Sequence, residues 1–214
     1  MAWHNDLDDT IRLHMSGRLR DAALKYHEIL VKDDKNHEAI HLLGVIAAQE
    51  GRHGEAVQYI SKAIGLNRTN PNYFLNRGNA YSELDDHRNA IQDYDQAISL
   101  KPSYVNAHAN KALALKKSGK IAQAIEVFNT TLALDNNYAE AHYNLGILHF
   151  EMHALALAIN CFQRAALLEP QNADIFFNLA IALRQNGHTR EAISAFDHTL
   201  MLQPHRAEAY FGRG

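Results

Sequence analysis

The chain has 214 residues, of which 47% are hydrophobic and 21% charged, a composition typical of a folded protein with a buried core. Its 21 Lys and Arg residues and 24 Asp and Glu residues leave a formal net charge of −3, so it lacks the basic excess that nucleic-acid phosphates or an anionic membrane would attract. The charged N-terminus and the lack of any run of about 20 apolar residues argue against export and membrane insertion. We therefore predict a cytoplasmic protein with no nucleic-acid partner and no membrane insertion.

Small and large residues recur along the chain with a period of 34. One row of small residues consists of Ala22, Ala56, Ala90, Ala124, Ala158 and Ala192. Four residues after each alanine stands a large apolar residue, namely Tyr26, Ile60, Tyr94, Phe128, Phe162 and Phe196. A second row of small residues lies upstream and consists of Thr10, Gly44, Gly78, Ala112, Gly146, Ala180 and Gly214. Internal periods of this length are typical of solenoids.

Each repeat unit is predicted to form two helices. In residues 139–172, apolar side chains have helical spacing in both halves of the unit. The small residues Gly146 and Ala158 would let the two helices approach closely, and Phe162 would fill the space that remains. The turn between the helices has glycine in four units, and Asp85 or His153 in the other two.

This pattern of small and large residues resembles the tetratricopeptide repeat. The resemblance implies an all-α fold, a right-handed superhelical solenoid of antiparallel helix pairs. We predict a single solenoid over residues 1–214, with six complete repeats and the start of a seventh. The predicted repeats are 3–36, 37–70, 71–104, 105–138, 139–172 and 173–206, followed by the partial repeat 207–214.

The resemblance also implies a function. In this family the first helix of each repeat lines a concave groove, and the groove holds peptides. We therefore predict a non-catalytic protein–protein interaction scaffold whose partner is a protein or peptide segment.

The second repeat contains a motif that also occurs in zinc proteases. His37, Glu38 and His41 form an HExxH sequence, in which two histidines one turn apart bind zinc and the glutamate is the general base. Ala47 occupies the place of the third ligand in the longer form of the motif. The repeat accounts for the neighbouring residues, so we predict no enzyme, no metal site and no cofactor.

Asparagines occupy the sixth place of four consecutive repeats, and another lies at the ninth place of the third repeat. The first four are Asn76, Asn110, Asn144 and Asn178, and the fifth is Asn79. A row of carboxamides can bind the backbone of an extended peptide whatever its side chains are; alternatively, the asparagines serve neighbouring loops or water. The row also resembles that of the repeat arm of O-linked N-acetylglucosamine transferases, which implies an alternative function, the substrate-recognition arm of a larger glycosyltransferase.

The groove-facing places change character towards the C-terminus. Repeat 105–138 is basic at this face, with Lys116 as a candidate contact. Repeats 139–172 and 173–206 instead present an apolar strip with acidic residues at its margin. The strip consists of Tyr143, Ile147, Phe150, Phe177 and Ile181. Such rings are suited to anchoring a ligand, and the alternative is that they pack in the core.

The C-terminal residues 207–214 match the opening of a first helix without its second helix. Because repeats bury their apolar faces against their neighbours, we expect an uncovered surface at this end. The expectation has two forms: either the 214 residues are the front of a longer protein, or the open end supports self-association.

Overall fold

The computed structural model describes residues 2–214, with side chains from Asp6 onward. Met1, at the edge of the predicted domain, lies outside the described residues. Over the described range the chain forms thirteen α-helices and no β-strand, which confirms the predicted all-α class. The helices are α1 Ala2–Met15, α2 Leu19–Lys32, α3 His37–Gln49, α4 His53–Leu66, α5 Pro71–Glu83, α6 His87–Leu100, α7 Val105–Lys117, α8 Ile121–Leu134, α9 Ala139–Glu151, α10 Leu155–Leu168, α11 Ala173–Gln185, α12 Thr189–Leu202 and α13 Ala207–Arg213. None of these helices, within the described range, is long and apolar enough to cross a membrane.

The odd-numbered helices are the first helices of the repeats, and from α3 onward each begins at the first residue of a predicted repeat. Several starts are fixed by asparagine caps. The side chain of Asn36 accepts a hydrogen bond from the backbone N–H of Ala39, and Asn70 and Asn172 cap α5 and α11 in the same way. Pro71 follows one of these caps at the first helical position, where a backbone N–H has no partner to lose.

Tight turns of three residues join the two helices of each repeat. The middle residue has a left-handed backbone conformation, which glycine adopts without steric cost. Two turns use other residues, Asp85 with φ 57° and His153 with φ 58°. These are the two positions where the sequence lacks the glycine found in the other turns.

The helices group into two compact units, which we name the N-terminal unit, up to Gly119, and the C-terminal unit, Lys120–Gly214. Within the N-terminal unit, α3 packs against α4 and α5 against α6, and α4 and α6 also contact the following first helix. Within the C-terminal unit, α9–α10 and α11–α12 form the equivalent pairs, and α13 packs on α12. The prediction of one continuous solenoid over 1–214 stays a prediction.

The core of each unit contains a close contact between a small residue of one helix and a large residue of the next. A Cβ atom on Gly78 would lie 2.7 Å from the ring of Tyr94, and one on Gly146 would lie 2.6 Å from the ring of Phe162. Phe162 is 1% exposed and Ala158 fully buried. The close helix approach predicted around Phe162 is therefore present, because glycine leaves room for the ring.

Polar side chains tie consecutive repeats together at the seventh residue of a repeat. Arg77 donates two hydrogen bonds to the carboxylate of Asp93, each 2.7 Å long, and a third to Oγ of Ser61 in the preceding repeat. Arg213 pairs with Asp197 of the preceding repeat, at 2.9 Å, which corresponds to the contact of Arg77 with Ser61. Asp93 is 5% exposed, whereas the Arg213 pair is half-exposed.

Candidate functional site

The asparagines of the N-terminal unit connect consecutive first helices. Nδ2 of Asn76 on α5 donates to Nε2 of His41 on α3, at 2.9 Å. Nδ2 of Asn110 on α7 donates to Oδ1 of Asn79 on α5, at 2.8 Å, and the same oxygen accepts a hydrogen bond from the hydroxyl of Tyr94. These carboxamides therefore fix the spacing of the first helices, a use that the sequence alone did not indicate.

In the C-terminal unit, Asn178 is engaged in the same way as Asn76, and Asn144 is not. Nδ2 of Asn178 on α11 donates to the hydroxyl oxygen of Tyr143 on α9, at 2.8 Å. Asn144 is 6% exposed and donates to the backbone carbonyl of Glu140 in its own helix. Asn144 is thus less accessible than the predicted row of carboxamides requires, because its side chain turns back along α9.

A cleft of about 320 Å³ lies between α3, α4 and α5 of the N-terminal unit. We name it the N-terminal cleft. Its apolar floor includes the fully buried Ile60, and polar side chains such as Asn76 and Glu83 stand among an otherwise mostly apolar lining. The lining residues are Val45, Ala48, Gln49, His53, Ile60, Asn76, Asn79, Ala80 and Glu83. It brings together two of the predicted site residues, Asn76 and Asn79.

A second cleft, of about 250 Å³, lies between α11 and α13 of the C-terminal unit, and we name it the C-terminal cleft. Phe196 forms its floor and is 1% exposed, whereas Phe211 on its wall is 87% exposed. Gly212 brings α13 close, since a Cβ atom there would lie 2.3 Å from the Phe196 ring. The full lining is Phe177, Ile181, Arg184, Phe196, Glu208, Phe211 and Gly212.

The predicted apolar strip lies beside the C-terminal cleft. All five of its residues are half-buried and pack against the core of the C-terminal unit. The ring of Tyr143 lies 6.0 Å from that of Phe162, and the ring of Phe177 lies 6.0 Å from that of Phe196. One edge of each side chain therefore packs in the core, and a ligand-anchoring role for the other edge stays a prediction.

Charged groups surround Phe177. The guanidinium carbon of Arg206 lies 4.0 Å from the centroid of the Phe177 ring, and Nη1 of the same residue lies 2.6 Å from the carboxylate of Asp174. Arg184, on the cleft wall, donates to the backbone carbonyl of Gly212. Desolvation raises the pKa of the neighbouring Tyr143, and the nearby Asp174 charge raises it further. This hydroxyl stays protonated at neutral pH.

Some predicted site residues line neither cleft, and some lining residues were not predicted. Lys116 lies half-buried in the last turn of α7, away from the lining of the N-terminal cleft. Arg184 and Phe211 were missed, although Phe211 occupies the same fifth place of its repeat as Tyr143 and Phe177. This shared position in the repeat could have identified Phe211 as a candidate from the sequence.

The HExxH residues are part of the packing of the N-terminal unit. The ring of His41 stacks on Tyr73 with centroids 4.3 Å apart, and Nδ1 of His37 lies 2.7 Å from the Tyr73 hydroxyl. Burial lowers the pKa of His41 to about 4, with smaller contributions from His14 and His37. Among the side chains that the structure describes, no group of three or more His, Cys, Asp or Glu is placed to hold a metal ion.

Family models for the tetratricopeptide repeat match most of the chain. Models described as tetratricopeptide repeat match residues 15–71, residues 71–104 and 139–172, and residues 161–194. A further model, described as TPR repeat, matches residues 113–152. Comparison with curated protein sequences gives no match.

Several solved structures share the fold. PilF of Pseudomonas aeruginosa aligns with a TM-score of 0.86 at 20% identity, over 98% of this chain and 96% of that one. PilW, a type IV pilus biogenesis factor, aligns with a TM-score of 0.84 at 17% identity, over 99% and 98% of the two chains. YrrB, a TPR protein with an unusual peptide-binding site, gives 0.72 at 16% identity, over 88% and 97%. These likenesses confirm the predicted solenoid fold.

Proposed function

The chain belongs to the tetratricopeptide-repeat family, and on that premise we propose that it is a non-catalytic interaction scaffold that holds a peptide segment of a partner protein against its first helices. The observation that carries this proposal is the C-terminal cleft, where Phe177 and Phe211 present apolar surface above a rigid floor formed by Phe196. The peptide-binding site named for the similar protein YrrB supports the same proposal.

The aromatic side chains are suited to be the anchors. Phe177 is held in place on one side by the Phe196 ring and on the other by Arg206. A ring that is already fixed loses little conformational entropy when a ligand packs on it. Residues of this kind contribute most of the binding free energy at protein interfaces. We assign Tyr143, Ile147, Phe150 and Ile181 to the same anchoring surface.

The asparagines have a second role in this proposal. A carboxamide has two N–H donors and an oxygen with two lone pairs, and one N–H each of Asn76, Asn110 and Asn178 is used between first helices. The remaining capacity faces the ligand and binds its backbone. Asn79 contributes to the N-terminal cleft, and Lys116 supplies a positive charge at the end of the N-terminal unit.

An array of synthetic peptides of varied sequence tests the proposal, with the wild-type chain and single variants as probes. We expect Phe177→Ala to bind a subset of the peptides about thirtyfold more weakly than wild type, which corresponds to the loss of about 2 kcal/mol of binding free energy. Phe176→Ala is the matched control, because Phe176 stacks on His198 with centroids 4.0 Å apart and does not line the cleft.

The binding profiles distinguish the contribution of the C-terminal cleft from that of the asparagines. Asn76→Ala/Asn79→Ala should weaken the binding of many unrelated peptides to a similar extent, because it removes hydrogen bonds to the peptide backbone, which all peptides share. Loss of the same peptides from Phe177→Ala and Phe176→Ala would mean that the C-terminal unit unfolds rather than loses an anchor. Profiles identical to wild type for both Phe177→Ala and the asparagine pair would reject the first-helix faces as the binding surface.

The asparagine row favours a second candidate, in which the same peptide-binding surface is the substrate-recognition arm of a larger glycosyltransferase. The length of the reading frame beyond Gly214 distinguishes the candidates. A stop codon directly after Gly214 would leave the stand-alone scaffold, and several hundred further codons would favour the arm. In both cases we propose that the protein works in the cytoplasm.

A further inference from the structure

The C-terminal unit has a row of carboxylates along one edge of its apolar surface. Glu140, Asp174 and Glu208 are the second residues of α9, α11 and α13, and all three are exposed. In the N-terminal unit, α3 also has an exposed carboxylate at this place, Glu38, whereas α5 and α7 have Asn72 and Asn106. The continuous acidic row therefore coincides with the aromatic surface and does not extend through the N-terminal unit.

Two of these carboxylates have no cationic partner in the described part of the chain. Asp174 is neutralised by Arg206, whereas neither Glu140 nor Glu208 forms an ion pair. Arg213 pairs with Asp197. Arg184 donates to the neutral carbonyl of Gly212 and keeps its charge, but it lies in the last turn of α11, at the opposite end of the first helices from Glu140 and Glu208. This edge of the surface therefore carries uncompensated negative charge.

Glu208 combines this charge with the apolar cleft. It lines the same cavity as Phe177 and Phe211, so a ligand side chain on the cleft floor has a carboxylate beside it. The first helices run in the same direction, since each is followed by a returning second helix. Their first turns, and hence Glu140 and Glu208, consequently lie at the same edge.

Building on the proposed function, we infer that the C-terminal cleft selects an extended segment of a partner protein in which an apolar residue is flanked by lysine or arginine. The apolar side chain packs between Phe177 and Phe211, and the flanking cations lie along the edge formed by Glu140 and Glu208. A segment with acidic flanks is disfavoured, because its charges would face Glu140 and Glu208, which form no ion pair with any cation that the structure describes.

Carboxylates in the first turn of a helix also stabilise that helix through its dipole. This effect alone would leave ligand selection unchanged, so the two roles can be separated by measuring binding and stability together. A helix-end role predicts a lower melting temperature with the same peptide preference. The proposed role predicts a changed peptide preference in a protein that remains folded.

The experiment uses three fluorescein-labelled peptides with the cores KKLFKK, EELFEE and KKGGKK, titrated with the whole chain by fluorescence polarisation at low and at physiological salt. We expect KKLFKK to bind about five- to tenfold more tightly than EELFEE at low salt, and the ratio to shrink as salt rises. KKGGKK should bind weakly at both salt concentrations, because it has no apolar residue for the cleft.

The variant Glu140→Gln/Glu208→Gln should bring the KKLFKK to EELFEE ratio below about twofold without loss of Leu-Phe binding. Glu191→Gln is the matched control, since Glu191 is an exposed carboxylate in the first turn of the second helix α12. Equal ratios for wild type and the double variant would overturn the charge inference. The scaffold function would survive that result if Phe177→Ala still removed binding.

Two other outcomes are decisive. Binding of KKGGKK as tight as that of KKLFKK would show charge attraction without use of the cleft, and would overturn the inference. Failure of both Leu-Phe peptides to bind, whatever their flanks, would count against the proposed peptide-binding function itself.

Discussion

The two units use the same repeat to make different surfaces. From the second repeat onward, the fifth residue in the N-terminal unit is His41, Leu75 or Ala109, which are 7%, 7% and 1% exposed. At the same place the C-terminal unit has aromatic residues, two of them half-buried and the third, Phe211, 87% exposed. The face of the N-terminal unit is thus closed at this place, whereas the rings of the C-terminal unit present apolar surface.

The units also differ in how they are held together. The N-terminal unit contains a buried network, in which Arg77 bonds Asp93 and Ser61, and Asn76 bonds the buried His41. In the C-terminal unit, the ion pair of Arg213 with Asp197 is half-exposed. The stability of the N-terminal unit should therefore depend more strongly on charge and pH.

The largest expected effect comes from breaking the buried ion pair. Asp93→Ala leaves the guanidinium of Arg77, which is 20% exposed, without its carboxylate, and should lower the free energy of unfolding by about 3 kcal/mol. Urea denaturation measures the change. Asp197→Ala, the control in the C-terminal unit, should cost less than about 1 kcal/mol because its pair is exposed. Equal losses for the two variants would contradict the difference between the units.

The second prediction concerns acid. The pKa of His41 is lowered to about 4 in the folded state, whereas an unfolded chain has the ordinary value of about 6.5. Between these values the unfolded state binds more protons than the folded state, so stability is fully present above pH 6.5 and falls as the pH drops towards 4. From pH 7 to pH 4.5 the loss should be about 2–3 kcal/mol.

Amide hydrogen exchange at the two pH values can locate this loss in the N-terminal unit. His41→Gln preserves a polar partner for Asn76 but cannot be protonated, and should remove most of the pH dependence. His198→Gln, in the C-terminal unit, is the control. An acid response confined to the C-terminal unit, or unchanged in His41→Gln, would exclude His41 as its source.

The helices, their turns and the contacts between small and large residues could all be predicted from the sequence. These features depend on local periodicity, and a period of 34 repeated six times leaves little freedom for Phe162 or Gly146. The bonds among polar side chains could not be predicted. Whether Asn76 faces a ligand or bonds His41 depends on which residue the preceding repeat places beside it, and nothing in the sequence indicates that Asn144 turns back onto the carbonyl of Glu140 in its own helix.

The open surface was predicted only in part. Tyr143 and Phe177 were recognised as candidates, but the sequence did not indicate that the small Gly212 would bring α13 against Phe196 and so form a cleft. The C-terminal end does expose apolar side chains. Phe196 of α12 is buried, but Ile193 and Met201 of the same helix are exposed, as are Tyr210 and Phe211 of α13. Self-association through this end stays a prediction.

A third prediction tests the core of the C-terminal unit. Ala158 is fully buried on α10, whose Phe162 ring packs against Gly146. The larger side chain in Ala158→Leu should overpack this contact and cost about 1–3 kcal/mol, measured by thermal melting. Ala156→Leu, at an exposed position of the same helix, is the control and should change stability little. A wild-type melting temperature for Ala158→Leu would show that the assigned repeat register is wrong.

The smallest effects are expected at the two left-handed turn residues, one in each unit. Asp85 is 90% exposed at its side chain, and His153 is also exposed, so replacing either by glycine removes little packing and relieves the cost of a positive φ. Asp85→Gly and His153→Gly should each raise the free energy of unfolding by about 0.5–1 kcal/mol, with the larger gain for His153, because a short acidic side chain tolerates the left-handed region better than an imidazole does. The reverse change, Gly51→Ala, should lower stability by a similar amount, since Gly51 has φ 77° and no side-chain contact to gain.

Chemical denaturation of the three variants measures the two expected gains and the expected loss. If both glycine variants were less stable than wild type, the contacts of Asp85 and His153 would contribute more to stability than the backbone strain costs.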